Sequence, residues 1–260
     1  MKAMQTAATG MEAQTLRIDT IANNLANADT TGFKKSQVDF ADLMYTTMRL
    51  PGGGSTQATQ TPTGLQIGSG VYPVSSLRIF TEGTITPTAG DLAMAINGDG
   101  FFQVTTPSGA VKYTRDGNFR VGADGTVVSS QGYPIYPQLS IPSDSVGLSV
   151  GTDGTVNSTP ASGTPTAIGQ VQLATFRNQA GLSSEGSNLL AETTASGAPL
   201  VGTPGSAGYG EIRQGYLEGS NVEVVNELVD LIVAQRTYEL NSKVVKAGDH
   251  ILQTVNQIPS

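Results

Sequence analysis

Few residues in this chain are of the kind that do chemistry, and their spacing argues against it. His250 is the single histidine, set near the end of a long C-terminal apolar pattern where a cation mildly suits a helix dipole. The many Ser and Thr have no other imidazole to act as base, and Cys is absent. Nucleophilic catalysis, disulfides and thiolate metal sites therefore lack their residues. Asp-Gly pairs at Asp99, Asp116, Asp124 and Asp153 supply carboxylates, but none stands in the alternating oxygen series ending in Glu that a calcium loop requires; they are turn residues. Gly98-Asp99-Gly100 runs into Phe101-Phe102, too bulky for phosphate approach, and no Lys follows Gly52 to Gly54, so neither is a nucleotide loop. The expectation is a protein that is not an enzyme, with no catalytic residue, no cofactor and no metal.

What remains to explain is the two ends. Residues Ser220 to Gln257 read as one long helix, without Pro and with Gly248 as the only interior Gly. Ser220 and Glu223 have capping-box spacing. Acids (Glu223, Glu227, Asp230) come first and Lys243 and Lys246 late, the order the dipole favours. Val224, Leu231, Tyr238, Val245 and Leu252 recur every seven residues with Leu228 and Val255 beside them, a coiled-coil seam. A second apolar series, Val233, Leu240, Val244, Ala247, Ile251 and Ile258, lies elsewhere on the cylinder, so this helix expects neighbours on more than one side. At the other terminus Met4, Ala8, Met11, Thr15, Ile18, Ala22 and Leu25 alternate four and three apart, a matching heptad.

The 260 residues carry only 13% charged side chains, with 32 Gly and 13 Pro, so turns are dense. A net charge of -7 without a basic cluster speaks against nucleic acid as a partner. No apolar run of eighteen residues exists and the N-terminus lacks an apolar signal core. The chain is expected neither to be membrane-embedded nor to be exported by a cleaved signal peptide.

Between the helices, Pro51-Gly52-Gly53-Gly54-Ser55-Thr56 opens a polar stretch that composition alone reads as a flexible loop. From Val71 onward the period becomes two. Leu92, Met94 and Ile96 alternate, and Asn97-Gly98, Asp116-Gly117, Asp124-Gly125 and Asp153-Gly154 predict hairpins of an antiparallel β region. The fold class is α+β: long N- and C-terminal helices forming a coiled-coil-like polymerisation domain, with an antiparallel β-rich middle module. The expected divisions are 1–41, 42–70, 71–210 and 211–260.

The segment ANNLANADTTGFKKSQVDF, with Asn23, Asn24, Asn27, Thr31, Gly32 and Phe33, closely resembles the N-terminal signature of the bacterial flagellar rod and hook proteins. EGSNVEVVNELVDLIVAQRTYELNSKVVKAGDHILQ resembles that family's C-terminal signature, and Asp42 to Gly70 is similar to an insert of its distal-rod branch that the hook branch lacks. The resemblance implies a structural subunit that polymerises into a rigid helical tube carrying motor torque across the periplasm to the hook, with the insert as an extended arm. It implies as partners further copies of the chain, proximal rod and hook proteins, the outer-membrane and peptidoglycan ring bushing, and the flagellar export apparatus. The polymerisation seams are then Met4, Met11, Ile18 and Leu25 with Val224, Leu228, Leu231, Tyr238, Val245 and Leu252. Two alternatives stand beside this: a hook or proximal-rod paralogue, and a secreted β-rich adhesin or binding module on a helical stalk.

Overall fold

The computed structural model describes residues 2–49, 54–56, 59–60, 63–161 and 163–256, arranged as two compact units. The first gathers Met1–Leu25, Ser36–Leu77 and Glu223–Ser260; the second gathers Ala26–Lys35 and Arg78–Val222.

The first unit is built on α1 (Lys2–Ala26) and α2 (Val224–Asn256). α1 has no Pro, and the hydroxyls of Thr6, Thr15 and Thr20 fold back onto the carbonyls of Lys2, Met11 and Leu16, at 3.0, 3.0 and 2.8 Å, instead of competing for the helix amides. Contacts fall in descending order along α2 as α1 ascends: Met4 meets Gly248, Gly10 meets Asn241, Arg17 meets Asp230 and Asn24 meets Glu227. The pair is antiparallel. The same unit holds β1 (Ser36–Asp42), β2 (Thr46–Arg49), β3 (Gly54–Thr56), β4 (Thr59–Gln60), β5 (Leu65–Ile67) and β6 (Val71–Arg78). β1 pairs with β6, β2 with β5 and β3 with β4. The described residues on either side of the expected loop pair as a two-stranded ribbon whose β2–β5 register sets Thr46 opposite Ile67 and Arg49 opposite Leu65. Cross-strand pairing holds these flanking strands together. Pro51 to Gly53 lie outside the described residues, as does Ile258.

The second unit contains β7 (Ile85–Pro87), β8 (Met94–Asn97), β9 (Phe101–Thr105), β10 (Val111–Thr114), β11 (Phe119–Val121), β12 (Val127–Ser129), β13 (Ser145–Val150), β14 (Thr155–Pro160), β15 (Thr166–Gln170), β16 (Leu173–Thr175), β17 (Ser183–Gly186), β18 (Leu189–Ala191), β19 (Leu200–Gly202), β20 (Glu211–Gln214) and β21 (Tyr216–Glu218). A six-stranded sheet ordered β17-β18-β10-β9-β16-β19 is its largest. Strand β9 separates two cores because successive side chains point to opposite faces. Phe102 joins Met94, Ile96, Phe119 and Val127 on one side, while Phe101 joins Tyr113, Phe176 and Leu190 on the other. Edge-on ring contacts run through both, Phe102 to Phe119 at 5.2 Å and Tyr113 to Phe176 at 4.8 Å.

The structure corrects several expectations. Asp124-Gly125 and Asp153-Gly154 do close the β11–β12 and β13–β14 hairpins. Asn97-Gly98 and Asp116-Gly117 do not, since β8 leaves to pair with β20 and β10 pairs with β9 and β18. At the first of these, Gly98, with φ +111, turns the chain between sheets. Leu92, Met94 and Ile96 are buried as expected, but so are Ala93 and Ala95, so this strand is covered on both faces. The capping box is not formed: the Ser220 hydroxyl accepts from Val222 N at 3.3 Å and the Glu223 carboxylate takes the Asn226 amide, with Val224 the first helical residue. Along α1, Met4, Met11, Ile18 and Leu25 are half-buried, but Ala8, Thr15 and Ala22 are exposed and Ala7 and Ile21 are buried instead. A four-three and a three-four alternation both satisfy a heptad, and only packing decides between them.

Candidate assembly surface

The second unit binds the two signature segments to each other through a buried ionic cluster. Gly32 has φ +68, and a β-carbon there would lie 2.5 Å from Asp116 N and 2.6 Å from Arg115 C, so only glycine serves. Its amide donates to Glu218 O at 2.8 Å. Phe33, buried, carries the Arg78 guanidinium over its ring at 5.9 Å. Thr31 donates its hydroxyl to Asp116 Oδ1 at 2.9 Å and its carbonyl accepts from Asn188 Nδ2 at 3.0 Å, while Asn27 Oδ1 accepts from Thr30 Oγ1 at 3.2 Å.

Next along the chain, Lys34 Nζ donates to Thr81 O at 2.7 Å and to Glu218 Oε1. Arg115 reaches Glu218 Oε2 at 3.3 Å and Gly98 O at 2.8 Å, and Gly83 N donates to Glu218 Oε1 at 3.0 Å. All three charged side chains are 2% exposed or less. Burial pushes the Lys34 ammonium below its usual pKa, with Glu218 pulling the other way and Arg115 adding to the fall. Nearby, burial first and Glu192 second push the Tyr113 phenol up to about 12. Asn221 completes the arrangement: its Oδ1 accepts from Lys35 N at 2.8 Å and its Nδ2 donates to Ile79 O at 2.8 Å. This cluster positions chain segments and offers no substrate a place. Sequence reasoning missed Lys34, Arg115, Glu218 and Asn221, because a charge reads as a solvated surface residue until its partner is known. The one signal was that Lys34 and Glu218 both stand inside the signature strings.

Surface of a different kind lies on the first unit. On α2 the residues turned toward α1 are Leu231, Val245 and Leu252, half-buried, with Ala234 and Glu227 buried. Val224, Leu228 and Tyr238 of the expected seam are exposed, together with a broad stripe that includes Val225, Val229, Ile232, Val233, Leu240, Val244 and Ile251. Leu240 is 60% exposed and Val225 73%. The ribbon adds Met44, 89% exposed, with Met48 and Leu65. Monomers rarely leave a contiguous apolar surface of this extent in water, and one that does marks an interaction site. Asn23 sits on the exposed side of α1, whereas Asn24 is buried. No described helix is long and apolar enough to cross a membrane.

Comparison with known proteins gives matches at both ends and in the middle. Residues 4–34 match the model for "Flagella basal body rod protein", 95–158 that for "Flagellar hook protein FlgE/F/G D1 domain", and 213–258 that for "Flagellar basal body rod FlgEFG protein C-terminal". The chain is 47% identical over 251 residues to the flagellar basal-body rod protein FlgG of Buchnera aphidicola (subsp. Schizaphis graminum), covering 96% of each. It is 42% identical to the FlgG proteins of Borreliella burgdorferi, covering 99% of this chain and 98% of that one, and of Caulobacter vibrioides, covering all of both.

Proposed function

The chain belongs to the FlgG family of flagellar basal-body rod proteins, a structural subunit of the rod, and from that premise we propose that the exposed stripe of α2 is the surface on which its copies assemble. The observation that carries this reading is the distribution of apolar residues on α2. A helix already paired with α1 still presents Val229, Ile232, Leu240 and Ile251 to water. Water is a poor neighbour for such a row, and another subunit is a good one.

A contact that joins the stripe of one copy to a different surface of the next is heterologous, and when its rotation does not close it builds an open helical tube. Interfaces of this obligate kind bury on the order of 2,000 Å² or more, which suits a shaft that carries torque without bending. In this reading the terminal helices form the polymerisation domain, the rod segment is the distal, periplasm-spanning one, and the ribbon of β2 and β5 lies along neighbouring subunits as a stiffening arm. Proximal rod and hook proteins then meet its ends, the ring bushing surrounds it, and the flagellar export apparatus delivers it.

The test is the critical concentration for polymerisation of purified Val229→Asp and Leu240→Asp variants. Losing the burial of the exposed part of Leu240 removes about 1 kcal/mol, and desolvating a carboxylate adds roughly 2 kcal/mol, so the critical concentration rises on the order of a hundredfold. Monomer stability stays within about 0.5 kcal/mol, as for other surface changes. An unchanged critical concentration rules the surface out.

A further inference from the structure

α1 packs on a side of α2 that mixes apolar with polar and small residues. Leu231, Val245 and Leu252 lie there beside a column of Glu227, Ala234, Asn241 and Gly248, spaced by seven, whereas another side carries the exposed stripe of Val229, Ile232 and Leu240. Hydrophobicity alone does not choose between two sides that both carry apolar residues. What holds the observed face is a set of specific pairings. Asn24 Nδ2 donates to Glu227 Oε2 at 3.3 Å in a buried contact, Arg17 pairs with Asp230 at 3.0 Å, and Gly10 and Gly248 make room for Asn241 and Met4. Asn24 is fixed before it meets α2, because its Oδ1 accepts from Ser36 N and its Nδ2 donates to Ser36 O, both at 2.9 Å.

We infer that Asn24, Glu227 and Asp230, with the small residues opposite, are a face and register selector: they tell α1 which side and which heptad of α2 to take, and so keep the stripe of Val229, Ile232 and Leu240 free. A slip of one heptad would set Asn24 against Ala234 and leave the buried Glu227 carboxylate without that partner. Rotating α2 would set a valine there. Single buried polar positions fix register and partner choice in helical pairs in this way, at some expense of stability. The inference rests on the assembly reading only for the use made of the free side.

The chain has no cysteine, so cross-links report cleanly. A β-carbon on Gly248 would sit 2.7 Å from Met4 Cγ, which makes Met4→Cys with Gly248→Cys the reporter of native register and Met11→Cys with Gly248→Cys the reporter of the one-heptad slip. In the full-length monomer the native disulfide forms and the slipped one does not. Glu227→Leu with Asp230→Leu leaves Asn24 satisfied by Ser36, keeps the helical circular-dichroism signal, and lowers the native yield at least about threefold while the slipped link appears. Glu227→Gln alone, which still accepts from Asn24, retains the native yield. Undiminished native cross-linking in the leucine variant overturns the inference. So does loss of its helical signal, which would make these contacts a source of stability rather than of choice, and so does an equal loss in Glu227→Gln. Polymerisation is scored separately: a variant that keeps native register but does not polymerise counts against the assembly surface and not against the selector.

Discussion

Replacing Glu218 by Ala removes the buried carboxylate that both cations touch and leaves Lys34 and Arg115, each 2% exposed, without their shared counter-charge. Truncating one partner of a buried charge pair costs about 3–5 kcal/mol, and the Gly83 amide, which loses its acceptor, adds about 1 kcal/mol or more. Against a typical domain stability of about 5–15 kcal/mol, the second unit of Glu218→Ala should unfold at a far lower urea concentration. The assay is urea unfolding followed by far-ultraviolet circular dichroism, with the β-sheet signal reporting this unit. The matched control is Lys34→Met, Glu218→Leu, Arg115→Met, which removes all three charges and should stay within about 2 kcal/mol of the parent, because well-packed apolar side chains replace a buried charge network at little loss. A loss under about 1 kcal/mol in Glu218→Ala, or a triple variant as unstable as the single one, refutes the account of the cluster as mutually compensated charge.

The same lysine predicts a pH dependence: its folded pKa lies below 10.5, so the unfolded chain holds that proton over a range where the folded chain has lost it. Stability relative to Lys34→Met should therefore rise with pH below 10.5, by at most about 1.4 kcal/mol per unit, and a fall over that range in urea titrations contradicts the sign. Gly32→Ala, strained by its positive φ and meeting backbone at 2.5 Å, should lower the thermal midpoint by several degrees or abolish folding; a midpoint unmoved in calorimetry refutes the glycine requirement. Leu231→Asp places a carboxylate at the face toward α1 and should cost several kcal/mol of helix-pair stability, read as lost helical signal on heating; normal melting and normal motility would remove Leu231 from the packed face. Deleting residues 51–64 should leave polymers that bend more easily, and an unchanged persistence length in electron micrographs would contradict the stiffening role of the ribbon.

How much of this was open to the sequence depends on the range of the interaction. The terminal helices are legible because Met4, Met11, Ile18 and Leu25, and Leu231, Val245 and Leu252, repeat over many turns and all turn inward. The second series on α2, with Val233, Leu240 and Ile251, is legible for the same reason, and its residues are exposed. The partner columns are not legible: Ala7 and Ile21 replace Ala8 and Ala22, and Glu227, Asn241 and Gly248, which share a column with Ala234, carry no apolar signal. The cap at Ser220 failed because local spacing cannot show that Asn226 competes for Glu223. Lys34, Arg115 and Glu218 lie far apart along the chain and were visible only once the fold brought them together. Units made from separated segments, such as Ser36–Leu77 beside Glu223–Ser260, leave no mark in residue order.

The central claim is most directly tested by an electron cryomicroscopy map of the polymer formed by the purified chain, resolved well enough to place side chains of α2. The account predicts Val229, Ile232, Leu240 and Ile251 packed against residues of other subunits, with water excluded from the row. A polymer in which this stripe faces solvent while subunits join through other surfaces would contradict it.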